Sequence, residues 1–360
     1  SDRALHEIYL PAFKAAVVQG DVWAIMGSYN KFRDQYCSHN DLLLNSILKR
    51  SWDFDGVVIS DWGGVHDTNE AIYNGLDIEM GTPPNNIISK RYPYNSNFLG
   101  DPFLNKIIKG DVEQSVLDDK VRRILRLMLK TSLRKDRPFG SINSEQHYQT
   151  AYKIASEGIV LLKNTDKFLP INTNKHITIA VIGENAEKSM SVGGGSSELK
   201  ADKEISPLFG IRKEFKNALV KYAKGYSSDP NVDNNNLRKN ALSIAKDADV
   251  VLFIGGLNKN SFQDSEASDR ISYKLPYSQP KLINEISKLN TNVAVILISG
   301  NAVKTDWKSN VKSIIQAWYL GSESGSAIAS ILSGKVNPSG KLPFSFPKNL
   351  NDNGAHHFGE

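Results

Sequence analysis

Residues 57–80 read VVISDWGGVHDTNEAIYNGLDIEM, and this stretch decides the fold class. Val57–Ser60 is a short apolar, β-branched run, which reads as a buried strand that stops at Asp61-Trp62. Residues 64–74 read as a helix, and residues 76–80 form a second short strand ending at Glu79-Met80. A strand, a helix and a second strand in so few residues predict a parallel sheet covered by helices.

The pattern repeats upstream. Residues 3–19 carry apolar side chains at helical spacing, residues 22–28 (VWAIMGS) form a mostly apolar run ending at Tyr29-Asn30, and residues 41–50 are again helical. In parallel α/β folds the chemistry sits just beyond the C-terminal ends of the strands. Three such ends are present here, at Tyr29-Asn30, Asp61-Trp62 and Glu79-Met80. With only about three strands, residues 1–135 would leave a sheet edge exposed, so this unit is expected to be part of something larger.

Residues 136–150 (DRPFGSINSEQHYQT) are polar, are broken by Pro138 and Gly140, and suit a linker. A second α/β unit is expected from residue 151 to about 346, with 347–360 as a tail. Its predicted strands are 177–182, 250–254, Val293–Ile298 and 314–317. Helices are predicted near 206–224, 236–248, Gln279–Leu289 and 325–333.

With 360 residues the chain can hold two cores, and at 40% hydrophobic and 23% charged it has a globular composition. No apolar run approaches the ~20 residues of a membrane span. The N-terminal residues lack the pattern of a signal peptide. The net charge of +5 is spread along the chain, and the densest basic stretch, residues 122–135, interleaves its cations with Ile124, Leu125, Leu127, Met128 and Leu129. That is the solvated face of an amphipathic helix and not a nucleic-acid patch. The single Cys37 excludes an internal disulfide and a cysteine zinc cluster.

Four features could carry chemistry. Asp61 follows its strand directly and stands beside Trp62. A carboxylate next to an indole suits a sugar ring, and a helix cap near residues 63–65 explains the same Asp equally well. Glu266 lies in DSEASDR (264–270), a polar loop after the break at Gly255-Gly256; an Asp269-Arg270 pair could anchor that loop, and a plain solvent-facing loop is the competing reading. VGGGSSEL (192–199) permits close backbone approach. IAVIGENAE places Gly183 where a dinucleotide fingerprint needs two further glycines, so a nucleotide site there is poorly supported. The seven histidines have no ligand spacing, which leaves His39 and His66 as surface or supporting groups and no metal site predicted.

Taken in order, these stretches resemble glycoside hydrolase family 3, the β-glucosidase family. SDRALHEIYLPAFKAAV (1–17) resembles the helix before the sixth barrel strand of that family. MGSYN (26–30) and YCSHN (36–40) are similar to its M-x-x-Y-N and P-C-S-x-N segments. WDFDGVVISDWGGVHD (52–67) is similar to W-G-F-x-G-x-V-x-S-D-W, and GLDIEM (75–80) to G-L-D-M-x-M. ASEGIVLLKN (155–164), VGGGSS (192–197), SEASDR (265–270) and the run from Ala317 to Pro347 resemble segments of the family's second domain. The resemblance covers nearly the whole chain.

The resemblance implies the C-terminal part of a (β/α)8 TIM-type barrel followed by an αβα sandwich. It implies a retaining, exo-acting β-glycosidase that takes a β-linked glucoside or oligosaccharide and releases glucose. Asp61 is then the nucleophile and Glu266 the acid/base, kept protonated by a raised pKa, with Asp264 as fallback. Tyr29 lies close to the nucleophile, Trp62 walls the aglycone side, and Met26 joins them as a substrate-binding residue. No metal or organic cofactor is required. Ala267-Ser268 depart from the Gly and aromatic usual in the acid/base loop. S-D-W favours glucose, with β-xylosidase as the alternative within the family; a sugar-binding, inactive half-enzyme is the non-catalytic alternative. The family's earlier half-barrel, with its sugar-binding Asp and Arg and its Lys-His pair, has no counterpart here, nor has its fibronectin-like domain. A complementary N-terminal half-barrel, as missing residues or as a separate chain, is therefore expected as a partner. Periplasmic or secreted location follows from the family alone.

Overall fold

The computed structural model describes residues 1–81, 97–188, 190, 194–260, 262–266 and 268–354. Val192, Gly193 and Ala267, which belong to motifs named above, and the last six residues lie outside the described residues. The chain divides into two units, Ser1–Gly140 and Ser141–Glu360. The boundary falls inside the segment read as a linker, and a helix, Glu145–Gly158, N-capped by Ser144, begins within that segment.

In the first unit the strands are β1 (Ala24–Gly27), β2 (Lys31–Phe32), β3 (Gln35–Tyr36) and β4 (Val57–Ser60). β1 and β4 pair in parallel, with Met26 opposite Ile59 and Gly27 opposite Ser60; β2 and β3 form a short hairpin. Residues 2–18 are helical, but the turn before Pro11, Leu5–Tyr9, widens to π geometry because proline has no N–H to continue the ladder. Leu44, Leu48, Phe54, Val58, Val65, Ala71 and Leu76 form the core around β4.

Two expectations change here. Residues 76–80 do not form a strand: one parallel bridge joins Ile78 to Ile59. The reason is Asp77. Its N–H and that of Ile78 both donate to the Val58 carbonyl, at 2.9 and 3.0 Å, while its Oδ2 accepts the Val58 N–H at 2.7 Å. A side chain thus takes the place of a ladder bond. The helix expected over 64–74 is confined to Thr68–Tyr73, because Asp67 caps it and Gly63 and Gly64 precede the cap.

The basic helix, Gln114–Lys130, is also not uniformly solvated. Lys120 is buried, and its ammonium donates to the carbonyls of Ala71 and Leu76. Arg123 donates to the carbonyls of Phe54 and Gly56, both at 3.0 Å. Burial lowers the Lys120 pKa to about 8, against the pull of Asp77. Arg123, from the face expected in water, and Lys120, just upstream of it, therefore stitch the helix to the strand turns beneath it.

The second unit holds β5 (Val160–Asn164), β6 (Thr178–Ile182), β7 (Leu219–Ala223), β8 (Val250–Gly256), β9 (Val293–Ile298) and β10 (Ser313–Gln316) in the order β5-β10-β9-β8-β6-β7. All neighbours run parallel except β5, which is antiparallel to β10. β8 and β9 are buried along their whole length, as an interior parallel strand should be. Helices Glu145–Gly158, Pro207–Glu214 and Ser324–Ser333 contribute to the core on one face. Asn234–Lys246 and Gln279–Leu289 contribute to the core on the other, which makes an αβα sandwich.

The helix expected over 206–224 ends at Glu214, and β7 takes its second half. Leu219–Ala223 alternates exposed and covered residues, the period of an edge strand with one wet face. β5 was also not expected. It is the other edge, where a half-buried VLLKN run gives a weak signal.

Candidate active site

Asp61 stands just past the end of β4, whose last residue, Ser60, is fully buried and accepts the Met80 N–H through its hydroxyl at 2.9 Å. The capping role that competed for Asp61 belongs to Asp67, whose Oδ1 accepts the Glu70 N–H at 2.8 Å. The Asp61 carboxylate instead accepts the N–H of its neighbour Trp62 through Oδ1, at 2.7 Å. Among the described residues its second oxygen has no hydrogen-bond partner. A carboxylate presented this way is available to an electrophile.

The structure brings Tyr29 and Trp62 together: the Tyr29 hydroxyl donates to the Trp62 carbonyl at 3.0 Å, linking the ends of β1 and β4. Both rings are about half exposed, as is Met26 on β1. Glu79, where a third strand end was expected, accepts the Leu99 N–H at 2.6 Å; burial nevertheless pushes its pKa up. His66 stacks on Tyr36 at 3.7 Å, and burial lowers its pKa. Of the surface and supporting readings of His39, the structure excludes the surface one: it is 1% exposed. Its place at the end of the turn Cys37–His39 hides it, and the flanking polar residues conceal that in sequence.

In the second unit the chain reverses its direction of sheet growth between β6 and β8, which are neighbours. Beyond the carboxyl ends of such strands open α/β sheets form their ligand crevice. The loops leaving β6 and β8 are the ones that carry the glycine run and Glu266. They join through a bridge between Gly194 and Ser265. The Gly194 N–H donates to the Asp264 carbonyl at 3.1 Å, and the Glu266 N–H to the Gly194 carbonyl at 3.2 Å. Gly183, read as a weak nucleotide signal, has a packing cause: at φ +129° a Cβ there would lie 2.0 Å from the Ile254 carbonyl oxygen.

Glu266 and Asp264, two residues apart, are used differently. Asp264 Oδ2 accepts the Gly300 N–H at 2.8 Å and the Tyr319 hydroxyl at 2.9 Å, which ties the loop down. Burial, reinforced by this carboxylate, holds the Tyr319 phenol far above its ordinary range. Glu266 is solvent-facing and is held through Oε2 by the Ser196 N–H at 2.5 Å. Gly195 allows this approach: a Cβ there would lie 2.3 Å from Glu266 Cβ.

The expectation of a raised Glu266 pKa is overturned in this structure. The Ser196 hydroxyl and N–H hold it below the ordinary carboxyl value, because both stabilise the ionised form and little burial opposes them. The Asp269-Arg270 pair is not formed either. Arg270 donates to the Ala302 carbonyl at 2.6 Å, with burial lowering its pKa.

A parallel half-sheet with a carboxylate at a strand end, joined in sequence to a sandwich with a carboxylate at its switch point, defines a class of two-domain α/β proteins with an acid on each domain. The profile described as Glycosyl hydrolase family 3 N terminal domain matches residues 1–127, and that described as Glycosyl hydrolase family 3 C-terminal domain matches residues 159–359. The chain belongs to glycosyl hydrolase family 3. Its two units accordingly correspond to the barrel domain and the αβα sandwich domain of that family. It is 50% identical to the β-glucosidase BoGH3A of Bacteroides ovatus over 100% of this chain and 50% of that protein. It is 34% identical to the thermostable β-glucosidase B of Acetivibrio thermocellus, over 99% of this chain and 45% of that protein. The crystal structure of the GH3 β-glucosidase of Bifidobacterium adolescentis matches with a TM-score of 0.83 at 34% identity, covering 98% of this chain and 49% of that one. The chain thus spans about half the length of the relatives it matches.

Proposed function

We propose that the protein containing this chain is a retaining, exo-acting β-glycosidase that releases glucose from β-glucosides or oligosaccharides. Asp61 is its nucleophile, and the observation that carries this is the Asp61 carboxylate itself. It sits at a strand mouth, is relieved of capping by Asp67, and is bonded only to the adjacent Trp62 N–H among the described residues. Ionised Asp61 attacks the anomeric carbon as the leaving oxygen departs, forming a glycosyl-enzyme. Glu266 gives its proton to that oxygen and then takes one from the water that hydrolyses the intermediate. The Ser196 contacts favour ionised Glu266, so it acts as acid only when substrate displaces those contacts or encloses it. Trp62, Tyr29 and Met26 offer the exposed apolar surface against which a pyranose ring stacks.

The β-glucosidase activity named for two relatives supports glucose as the released sugar. A further strand-bearing segment, of the same polypeptide or another, completes the sheet at β1. The support is that among the described residues β1 is paired by β4 alone and that a cavity of about 530 Å³, lined by Leu5, Tyr9, Phe13, Met26 and Leu44, lies beside it. No helix among the described residues is long and apolar enough to cross a membrane. An oligosaccharide substrate suits a periplasmic or secreted enzyme.

The test is intact mass spectrometry of the full-length protein after incubation with an activated 2-deoxy-2-fluoro-β-glucoside. One glycosyl adduct mapping to Asp61 is expected. An adduct elsewhere, or hydrolysis that survives Asp61→Asn, overturns the assignment.

A further inference from the structure

We infer that buried His39 is a positioning residue for the loop that carries Asp61 and Trp62, an inference that rests on the role proposed for Asp61. His39 ends the turn Cys37–His39, and its Nε2 accepts the backbone N–H of His66 at 3.2 Å. A ring nitrogen that accepts carries no proton. The neutral ring therefore holds its hydrogen on Nδ1, which lies 2.6 Å from Glu70 Oε2, at ion-pair distance but off the line of a straight hydrogen bond.

Glu70 is itself fixed from three sides. Its other oxygen accepts the Gln35 amide at 3.1 Å, its backbone N–H is bound by Asp67, and it lies in the helix Thr68–Tyr73. Gln35 in turn accepts the Asp41 N–H at 3.3 Å. The fixed carboxylate thus stands beside the Nδ1 side of the ring, and the bond from the His66 N–H shows Nε2 as the acceptor aimed at the loop.

That loop has few other restraints. Between Asp61 and His66 stand Trp62, two glycines and Val65, and the internal backbone bond runs from the Gly64 N–H to the Asp61 carbonyl at 3.1 Å. The turn that holds the far end also reaches the neighbouring strand, since the Ser38 hydroxyl donates to the Ser28 carbonyl at 3.1 Å, next to Tyr29. One buried turn therefore registers both strand mouths, and Tyr29 closes the arrangement on the Trp62 carbonyl. A misplacement of ~1 Å at a reacting group can cost ~100-fold.

The experiment uses the full-length protein and two replacements: His39→Phe, which keeps ring shape without an acceptor, and His39→Gln, whose side chain reaches the Nε2 position with one. The expected result is that His39→Phe lowers kcat on an activated aryl β-glucoside by ~10- to 100-fold and slows trapping by the 2-fluoro glucoside by the same factor. Inhibition by glucose should change far less, and His39→Gln should recover most of kcat. Amide exchange should show His66 protected in wild type and in His39→Gln, and unprotected in His39→Phe. If His39→Phe is folded by circular dichroism and keeps wild-type kcat, or if folded His39→Gln fails to recover, the role of His39 is overturned while the glycosidase reading stands. If His39→Phe does not fold, the decision passes to His39→Gln against His39→Asn, whose shorter amide cannot reach the Nε2 position; equal kcat in those two overturns the role. A wild-type protein that neither hydrolyses the glucoside nor forms the adduct overturns the glycosidase reading, and this role with it.

Discussion

The two units present their carboxylates by opposite means. In the first, Asp61 is delivered by a strand: β4 is clamped by its ladder to β1, by the Asp77 carboxylate on the Val58 N–H, and by the Lys120 and Arg123 side chains on the surrounding carbonyls. In the second, Glu266 is delivered by loops, held by its own N–H on the Gly194 carbonyl, by the Gly194 N–H on the Asp264 carbonyl, and by the Ser196 N–H on its side chain. The first arrangement is paid for in buried charge. The second is sparse and leaves Glu266 where a few contacts decide its protonation. A nucleophile needs a fixed ionised group, whereas an acid/base must change its proton during turnover, and the two supports suit the roles proposed for Asp61 and Glu266.

The sharpest way to break this comparison is to remove each carboxylate. Asp61→Asn should lower kcat/KM on an aryl β-glucoside by about 10⁴-fold or more, because no bond to the sugar can form. Glu266→Gln should cost ~10²- to 10⁴-fold on a poor leaving group and much less on dinitrophenolate, which leaves without a proton. Steady-state kinetics on both substrates checks the pair. Equal losses on the two leaving groups would deny Glu266 the acid role.

Next in size is Gly195→Ala. Its Cβ cannot coexist with Glu266 in place, and the φ of +90° disfavours it further, so Glu266 must move. A fall of ~10- to 100-fold in kcat on the poor leaving group is expected, with thermal unfolding little changed. Asp61 trapping by the dinitrophenyl fluoroglucoside should survive, which separates the two supports.

The buried charge of the first unit is tested by pH. The folded pKa of Lys120, about 8, lies below the 10.5 of a free lysine, so the unfolded chain binds more protons between these values. Stability therefore rises as pH goes from 8 to 10.5, by at most about 3 kcal/mol from this group. Urea unfolding of wild type against Lys120→Met over that window should show the rise flattened in the variant.

Smallest is Ser196→Ala. Its hydroxyl favours ionised Glu266, so its loss lets the carboxyl keep its proton to higher pH, and the alkaline limb of kcat/KM should move upward. A downward movement would show that Ser196 supports the protonated form.

Much of the fold was legible because apolar strands that lie inside a parallel sheet carry their burial in composition: Val57–Ser60, Val250–Gly256 and Val293–Ile298 needed no partner to be recognised. Leu219–Ala223 was read as helix because an edge strand is only half buried and helix formers precede it. Asp77 was invisible as a structural group, since a carboxylate that substitutes for a ladder bond leaves no periodic trace. Arg123 looked like a solvated charge for the same reason, because what it reaches are backbone carbonyls of another segment. Which Asp caps the helix stayed open on residues 61–67 alone, and the bond from the Glu70 N–H to Asp67 answered it.

By itself, the sequence determined two α/β units, the strand mouth that ends in Asp61, and the ordered motifs of glycosyl hydrolase family 3, because strand composition and motif spacing are local properties. Tertiary structure alone decided that Asp264 anchors while Glu266 faces solvent, that Glu266 is held ionised, and that His39 is buried with an acceptor aimed at the Asp61 loop. Protonation and orientation depend on which donors arrive from distant segments, and no local pattern encodes them.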